Sequence, residues 1–88
     1  MKFLGIAVAV NMVFAGTAFA SDMCSVPTAE WQPRPALEAK LKAEGWAVRS
    51  IQIEDGCYEA YAVDAKGKKV EAYFNPKSFE VVKVKSED

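Results

Sequence analysis

Gly45 marks a change of period that restricts this chain to a few architectures. Ahead of it, Arg34 to Glu44 is rich in Ala, Leu, Lys and Glu, all good helix formers. Pro33 or Pro35 suits the first turn of such a helix, where a missing N–H is harmless. Leu37 and Leu41 lie one turn apart and form an apolar stripe with Ala36. Gly45 then stands where a helix ends. Beyond it the apolar residues alternate, the pattern of strands. Trp46 to Glu54, Cys57 to Asp64, Lys68 to Asn75 and Glu80 to Lys85 read as four of them. Asp55-Gly56 predicts a type I′ hairpin turn. Asp64-Ala65-Lys66-Gly67 predicts a type I turn closed by a G1 bulge. Asn75-Pro76-Lys77-Ser78 predicts a third turn with proline at its second position. The expected fold is α+β: one N-terminal helix packed on a four-stranded antiparallel β-meander, held by one disulfide.

The first two turns set a register. Pairing across them puts Ile53 opposite Tyr58, Ile51 opposite Ala60, Tyr58 opposite Phe74, Ala60 opposite Ala72 and Ala62 opposite Val70, all on the face that takes the helix. Trp46 and Val48 have the wrong parity for that face, and a bulge near Arg49-Ser50 would return them to it.

The first twenty residues are of another kind. Lys2 is a short positive start, Phe3 to Phe14 is apolar apart from Asn11, and Ala18-Phe19-Ala20 offers small residues at the two positions a signal peptidase reads. Cleavage after Ala20 is expected, and the apolar run is short for a bilayer span. The organisation that follows is a secretory signal at 1–20, an irregular arm at 21–32 with Pro27 breaking any helix, an α+β domain at 33–85 and a frayed tail at 86–88. The expected location is the periplasm, with full secretion left open. The mature chain carries ten basic and twelve acidic residues. It therefore lacks the positive footprint of a nucleic-acid binder, and no later segment would hold it in a membrane.

A domain of 68 residues buries a limited core. Cys24 and Cys57, an even count in an exported chain, are expected to form a disulfide that closes a loop of 34 residues. Free thiols or a redox pair are the alternatives, and the wide spacing with no Cys-x-x-Cys disfavours the second.

Several stretches in fixed order carry a family resemblance. They are Cys24-Ser25-Val26-Pro27, Glu30-Trp31-Gln32-Pro33-Arg34, Gly45-Trp46-Ala47-Val48-Arg49, Asp55-Gly56-Cys57-Tyr58-Glu59, Asp64-Ala65-Lys66-Gly67 and Val70-Glu71-Ala72-Tyr73-Phe74-Asn75-Pro76. With them the chain resembles the PepSY family, specifically its small exported single-domain members. The resemblance implies a helix on an antiparallel sheet and a non-enzymatic role. Domains of this family occur in propeptides of secreted metalloproteases and are proposed to restrain proteases. It implies no catalytic residues. In one place the chain departs from the pattern. Relatives usually close the last hairpin with Asn/Asp-Pro-x-Thr-Gly, whereas this chain has Ser78-Phe79. Phe at positive φ is costly. The pairing of Val82 with Ala72 and Val84 with Val70 therefore favours Ser78 in the left-handed position.

The residues for chemistry are few. The chain has no histidine, which removes the commonest general base and metal ligand. Two cysteines alone do not close a zinc site, and no phosphate loop, EF-hand or serine elbow is present. No catalytic residue, metal or cofactor is expected. Glu59 and Glu71 lie on one face, but beside Tyr61 and Tyr73 they read as a solvated cross-strand cluster.

That face, away from the helix, is the candidate contact surface. Tyr61, Tyr73 and Val63, joined by Val81, would form an apolar patch rimmed by Glu59, Glu71, Lys69 and Lys83. A bridge from Cys57 to Cys24 would otherwise drape Val26, Pro27 and Trp31 across it. Phe79 at a hairpin tip is a second candidate contact, unless it folds back onto its own strand. Trp31 and Trp46 read as packing residues. Open sheet edges give a third mode, strand addition to an extended peptide, which Lys83 and Lys85 could instead guard against. The function these features favour is a periplasmic interaction module that restrains an envelope protein such as a protease. A small-ligand or redox-accessory protein is the alternative, and a homodimer through the same face stays open.

Overall fold

The computed structural model describes residues 22–87, so the signal read at 1–20 and the last residue of the tail lie outside it. Helix α1 spans Arg34–Ala43, with Pro33 as its N-cap and Pro35 in its first turn. Neither proline leaves a needed N–H unmade there. Glu44 caps the other end, and Gly45 leaves it at φ 92, a left-handed turn that glycine makes without steric cost. Four strands follow: β1 Ala47–Glu54, β2 Cys57–Val63, β3 Lys69–Phe74 and β4 Val81–Ser86. They form one antiparallel sheet in the order β1-β2-β3-β4.

The register expected from the first two turns is the one observed. Ile53 pairs with Tyr58, Ile51 with Ala60, Tyr58 with Phe74, Ala60 with Ala72 and Ala62 with Val70. Asp55 and Gly56 both have positive φ, 53 and 75, as a type I′ turn requires. In the second turn the Gly67 N–H donates to the Asp64 carbonyl, and the Asp64 carboxylate accepts the N–H groups of Lys66 and Lys68. Those hydrogen bonds, that of Lys68 first, hold the Asp64 carboxyl below its ordinary pKa. The bulge between Val48 and Ser50 is present and returns Val48 to the helix side opposite Ala62. The core gathers Leu37 and Leu41 of α1 with Ile51, Tyr58, Ala60, Ala72, Phe74 and Phe79, and Trp31, Ala36, Trp46 and Val48 pack around it.

The last hairpin differs from expectation. Phe79, not Ser78, takes the left-handed backbone, at φ 64. Val84 pairs with Ala72 and Ser86 with Val70, so the expected matches of Val82 with Ala72 and Val84 with Val70 do not form. The cause is the asparagine at the start of the turn and the ring at its end. The Asn75 side-chain oxygen accepts the N–H groups of Lys77 and Ser78, and its carbonyl accepts that of Phe79 at 2.8 Å. This five-residue loop turns the Phe79 ring inward, where it is 7% exposed and 6.4 Å from the Tyr58 ring. A left-handed backbone costs a non-glycine residue about 1–2 kcal/mol, while burying a phenylalanine returns about 1.5–3 kcal/mol. Burial wins. Phe79→Gly should accordingly lower stability by about 2 kcal/mol in urea unfolding, because the lost ring and its cavity outweigh the relaxed backbone. A gain in stability would show that the strain dominates.

Among the described residues the segment before α1 contains one 3₁₀ turn, Thr28–Glu30, which begins directly after Pro27. The arm runs round the end of the sheet. The Cys24 N–H donates to the Asp55 carbonyl at 3.1 Å, and the Gln32 N–H to the Pro76 carbonyl at 2.9 Å. Lys77 pairs with Glu30 at 3.0 Å. The arm thus ties the tip of the first hairpin to the tip of the third.

Candidate interaction face

The sheet face away from α1 is assembled by strand parity. β2 presents Cys57, Glu59, Tyr61 and Val63, β3 presents Lys69, Glu71 and Tyr73, and β4 presents Lys83 and Lys85 opposite Tyr73 and Glu71. Val81 pairs with Phe74 and so belongs to the helix side, not to this face.

The disulfide divides the face into two zones. Cys24 and Cys57 are joined, with their Cα atoms 5.1 Å apart. They form a small second core with Tyr73, against which Met23 packs. Here the structure corrects the expected course of the arm. Met23 and Cys24 pack on this face. Trp31 sits on the helix side, edge-on to Tyr58 at 5.3 Å, and its indole N–H donates to the Val26 carbonyl at 2.8 Å. The reason is positional. Cys57 is the first residue of β2, at the very end of the sheet, so a chain anchored there has a short path round to Tyr58, the next residue on the opposite face. The Tyr58 hydroxyl completes the anchor by donating to the Gln32 carbonyl at 2.7 Å.

Of the six residues expected to meet a partner, the structure brings Glu59, Tyr61, Glu71, Tyr73 and Val63 onto one face and places Phe79 in the core. Tyr73 and Glu59 are buried, at 6% and 4% exposure, while Tyr61, Val63 and Glu71 are half-buried. Tyr61, Val63 and Glu71 form the open zone, beside Lys85. A small hollow there is lined by Arg49, Tyr61, Lys69, Val70 and Glu87.

The electrostatics of the face follow from its carboxylates. Glu59 faces both tyrosine hydroxyls. Burial, the hydrogen bond to Glu59 and the charge of Glu59 push the Tyr73 phenol up to about 12. Burial and the charges of Glu59 and Glu71 raise Tyr61 as well. The Glu71 and Glu87 carboxyls compete for a proton, which lowers the first and raises the second. Lys85 supports the Glu71 charge at 3.3 Å, lies 5.9 Å from the centre of the Tyr73 ring, and is itself raised by its bond to Glu71.

A high-pH test follows. A phenol whose pKa is raised on folding contributes stability that is complete below pH 10 and lost as pH climbs towards 12. Absorbance titration of the folded domain should show a late phenolate step that disappears in Tyr73→Phe and moves down in Glu59→Gln. A Tyr73 step at the ordinary phenol pKa would contradict this geometry.

Among the described residues no group of His, Cys, Asp or Glu is placed to hold a metal ion. A second, open recess lies beside Trp46 and the Asp64-Ala65-Lys66 turn, away from this face. Among the described residues no helix is long and apolar enough to cross a membrane.

What the sequence reading missed is on β4. All six of its residues are exposed, and Val81, Val82 and Val84 are 52%, 43% and 51% exposed. The signal was available in the count of one helix for four strands. A helix about 10–12 Å across covers two or three strands set about 4.8 Å apart, not four. α1 packs over β1, leaving β4 bare.

Fold and face together define, among the described residues, a small α+β module of one α-helix and four strands whose disulfide straps an N-terminal arm across the end of its sheet. A family model described as "Peptidase propeptide and YPEB domain" (PepSY_2) matches residues 4–85. The chain belongs to this PepSY family. Such domains are generally extracytoplasmic, and are typically non-catalytic propeptide or regulatory modules associated with peptidases. No curated protein and no solved structure matches the chain.

Proposed function

We propose that the exported chain is a non-enzymatic periplasmic module that binds and restrains an envelope protease. The observation that carries this reading is its membership of a peptidase-propeptide family over almost its whole length. The geometry supports it in two ways. The aromatic core is consumed by packing, and within the carboxylate-tyrosine cluster Tyr73 is packed against the disulfide with Met23 beside it. What is left accessible is a contact zone of Tyr61, Val63 and Glu71, a half-buried aromatic with an apolar neighbour and a charged rim, as contact surfaces have. The redox alternative gains no support from a bridge whose cysteines are 5% and 0% exposed.

A photo-crosslinking residue at position 61 of the oxidised domain tests this in an envelope extract. The reading expects one specific adduct, and expects that adduct to be a peptidase. Adducts confined to the domain's own arm, or to proteins with no peptidase among them, would overturn it.

A further inference from the structure

We propose that the open edge of β4 takes up an extended segment of the partner as a fifth, edge-added strand, one that alternates apolar and acidic residues. The inference deepens the proposed function and rests on it for the partner's identity, but its geometry is that of β4 alone.

The sheet order leaves β4 at an edge. The Glu87 N–H donates to the Lys69 carbonyl at 2.9 Å. Hydrogen-bonded and non-hydrogen-bonded pairs alternate along an antiparallel ladder. Lys85 opposite Glu71 and Lys83 opposite Tyr73 therefore turn their backbone groups towards β3. Val84 and Ser86 turn theirs outward, a row of donors and acceptors ready for another strand. The other edge, β1, is less suited. Its bulge at Arg49 falls within the strand, whereas that of β4 lies at its start and leaves Lys83 to Ser86 unbroken.

The side chains of β4 say what kind of strand fits. Val84, and Val81 before the bulge, lie on the helix side and are half exposed, so a partner's apolar side chains would bury them. Lys83 and Lys85 lie on the other side. Lys85 is engaged by Glu71, while among the described residues Lys83 has no carboxylate within ion-pair distance. An acidic residue opposite Lys83 would supply one. A second copy of this chain fits poorly in the registers that overlap most of β4, and the Ser86-centred register that sets Lys85 against Glu87 of the other copy pairs only the end of the strand. Antiparallel β4–β4 pairing centred on Val84 sets Lys83 against Lys85 of the other copy. Centring on Lys83 or Lys85 sets each lysine against itself. Like charges directly opposite are destabilising.

The test uses the oxidised mature domain and a fluorescent ten-residue peptide that alternates valine and glutamate, with a valine-lysine peptide as comparison. Anisotropy should show the acidic peptide binding in preference, and amide exchange should slow at Val84 and Ser86. Val84→Pro removes an outward N–H without touching the β3 ladder, so it should abolish binding while the domain stays folded. Lys83→Glu should weaken the acidic peptide about fivefold and improve the basic one. Binding indifferent to both variants, protection elsewhere, no binding, or self-association that protects Val84 and Ser86 would each overturn the proposal. If the peptide fails while a peptidase still crosslinks at position 61, the strand is wrong and the proposed function stands. If the peptide binds and no peptidase is captured, the reverse holds.

Discussion

Replacing both cysteines, Cys24→Ala with Cys57→Ala, should cost about 4 kcal/mol and leave much of the domain unfolded at 37 °C. The figure is the chain entropy that a bridge spanning 33 positions removes from the unfolded state. Its weight comes from the size of the domain. Small domains bury little and are stable by only about 5 kcal/mol, so the bridge accounts for most of the margin. The local packing adds to the effect. Cys24, Cys57 and Tyr73 form the second core, and Met23 leans on it, so loss of the bridge also uncovers Tyr73. Urea unfolding of the double variant beside the oxidised protein checks this. A difference under 1 kcal/mol would mean that the arm holds through Trp31 and Gln32 without the bridge.

Gly56→Ala should be the next most damaging change, at about 3 kcal/mol, although it adds one methyl group. Two costs combine. Gly56 has φ 75, and a left-handed residue with a side chain costs about 1–2 kcal/mol. A Cβ at this position would also lie against the Cys24 carbonyl oxygen, well inside contact distance. That oxygen is backbone held by the disulfide, so it cannot move aside cheaply. The hydrogen bond from Cys24 to Asp55 would be strained with it. Gly67→Ala is the matched control. Its φ is 85, and a Cβ there meets nothing within 4 Å, so only the backbone cost of about 1 kcal/mol remains. Equal losses at the two glycines in thermal or urea unfolding would rule out the clash with the arm.

Much of the fold was legible because short-range rules fixed it. Asp55-Gly56 and Gly67 set two turns, and with a period of two those turns settle which residues face α1. Even the bulge at Arg49 could be inferred, since Trp46 and Val48 had nowhere else to go. The third hairpin was not legible in the same way. Weighing Ser78 against Phe79 by backbone strain, and by matching Val82 with Ala72 and Val84 with Val70, gave the wrong residue. The deciding term was the burial of the Phe79 ring against Tyr58, a contact between residues 21 positions apart. The same long-range blindness hid the course of the arm. Cys24 was correctly tied to Cys57, but where Trp31 went depended on Cys57 lying at the end of the sheet. The candidate residues are therefore split: Glu59, Tyr61, Val63, Glu71 and Tyr73 share one side, with Tyr73 and Glu59 buried, and Phe79 is in the core. The bare valines of β4 follow from how far one helix can reach, which a strand-by-strand reading does not ask.

The most direct measurement is a dose response of metalloprotease activity in an envelope extract against added oxidised mature domain, with the unbridged double variant as control. The account predicts that chelator-sensitive proteolysis of an unstructured substrate falls in a saturable way with the folded domain and not with the control. Proteolysis unchanged at tens of micromolar folded domain, or lowered equally by both, would contradict it.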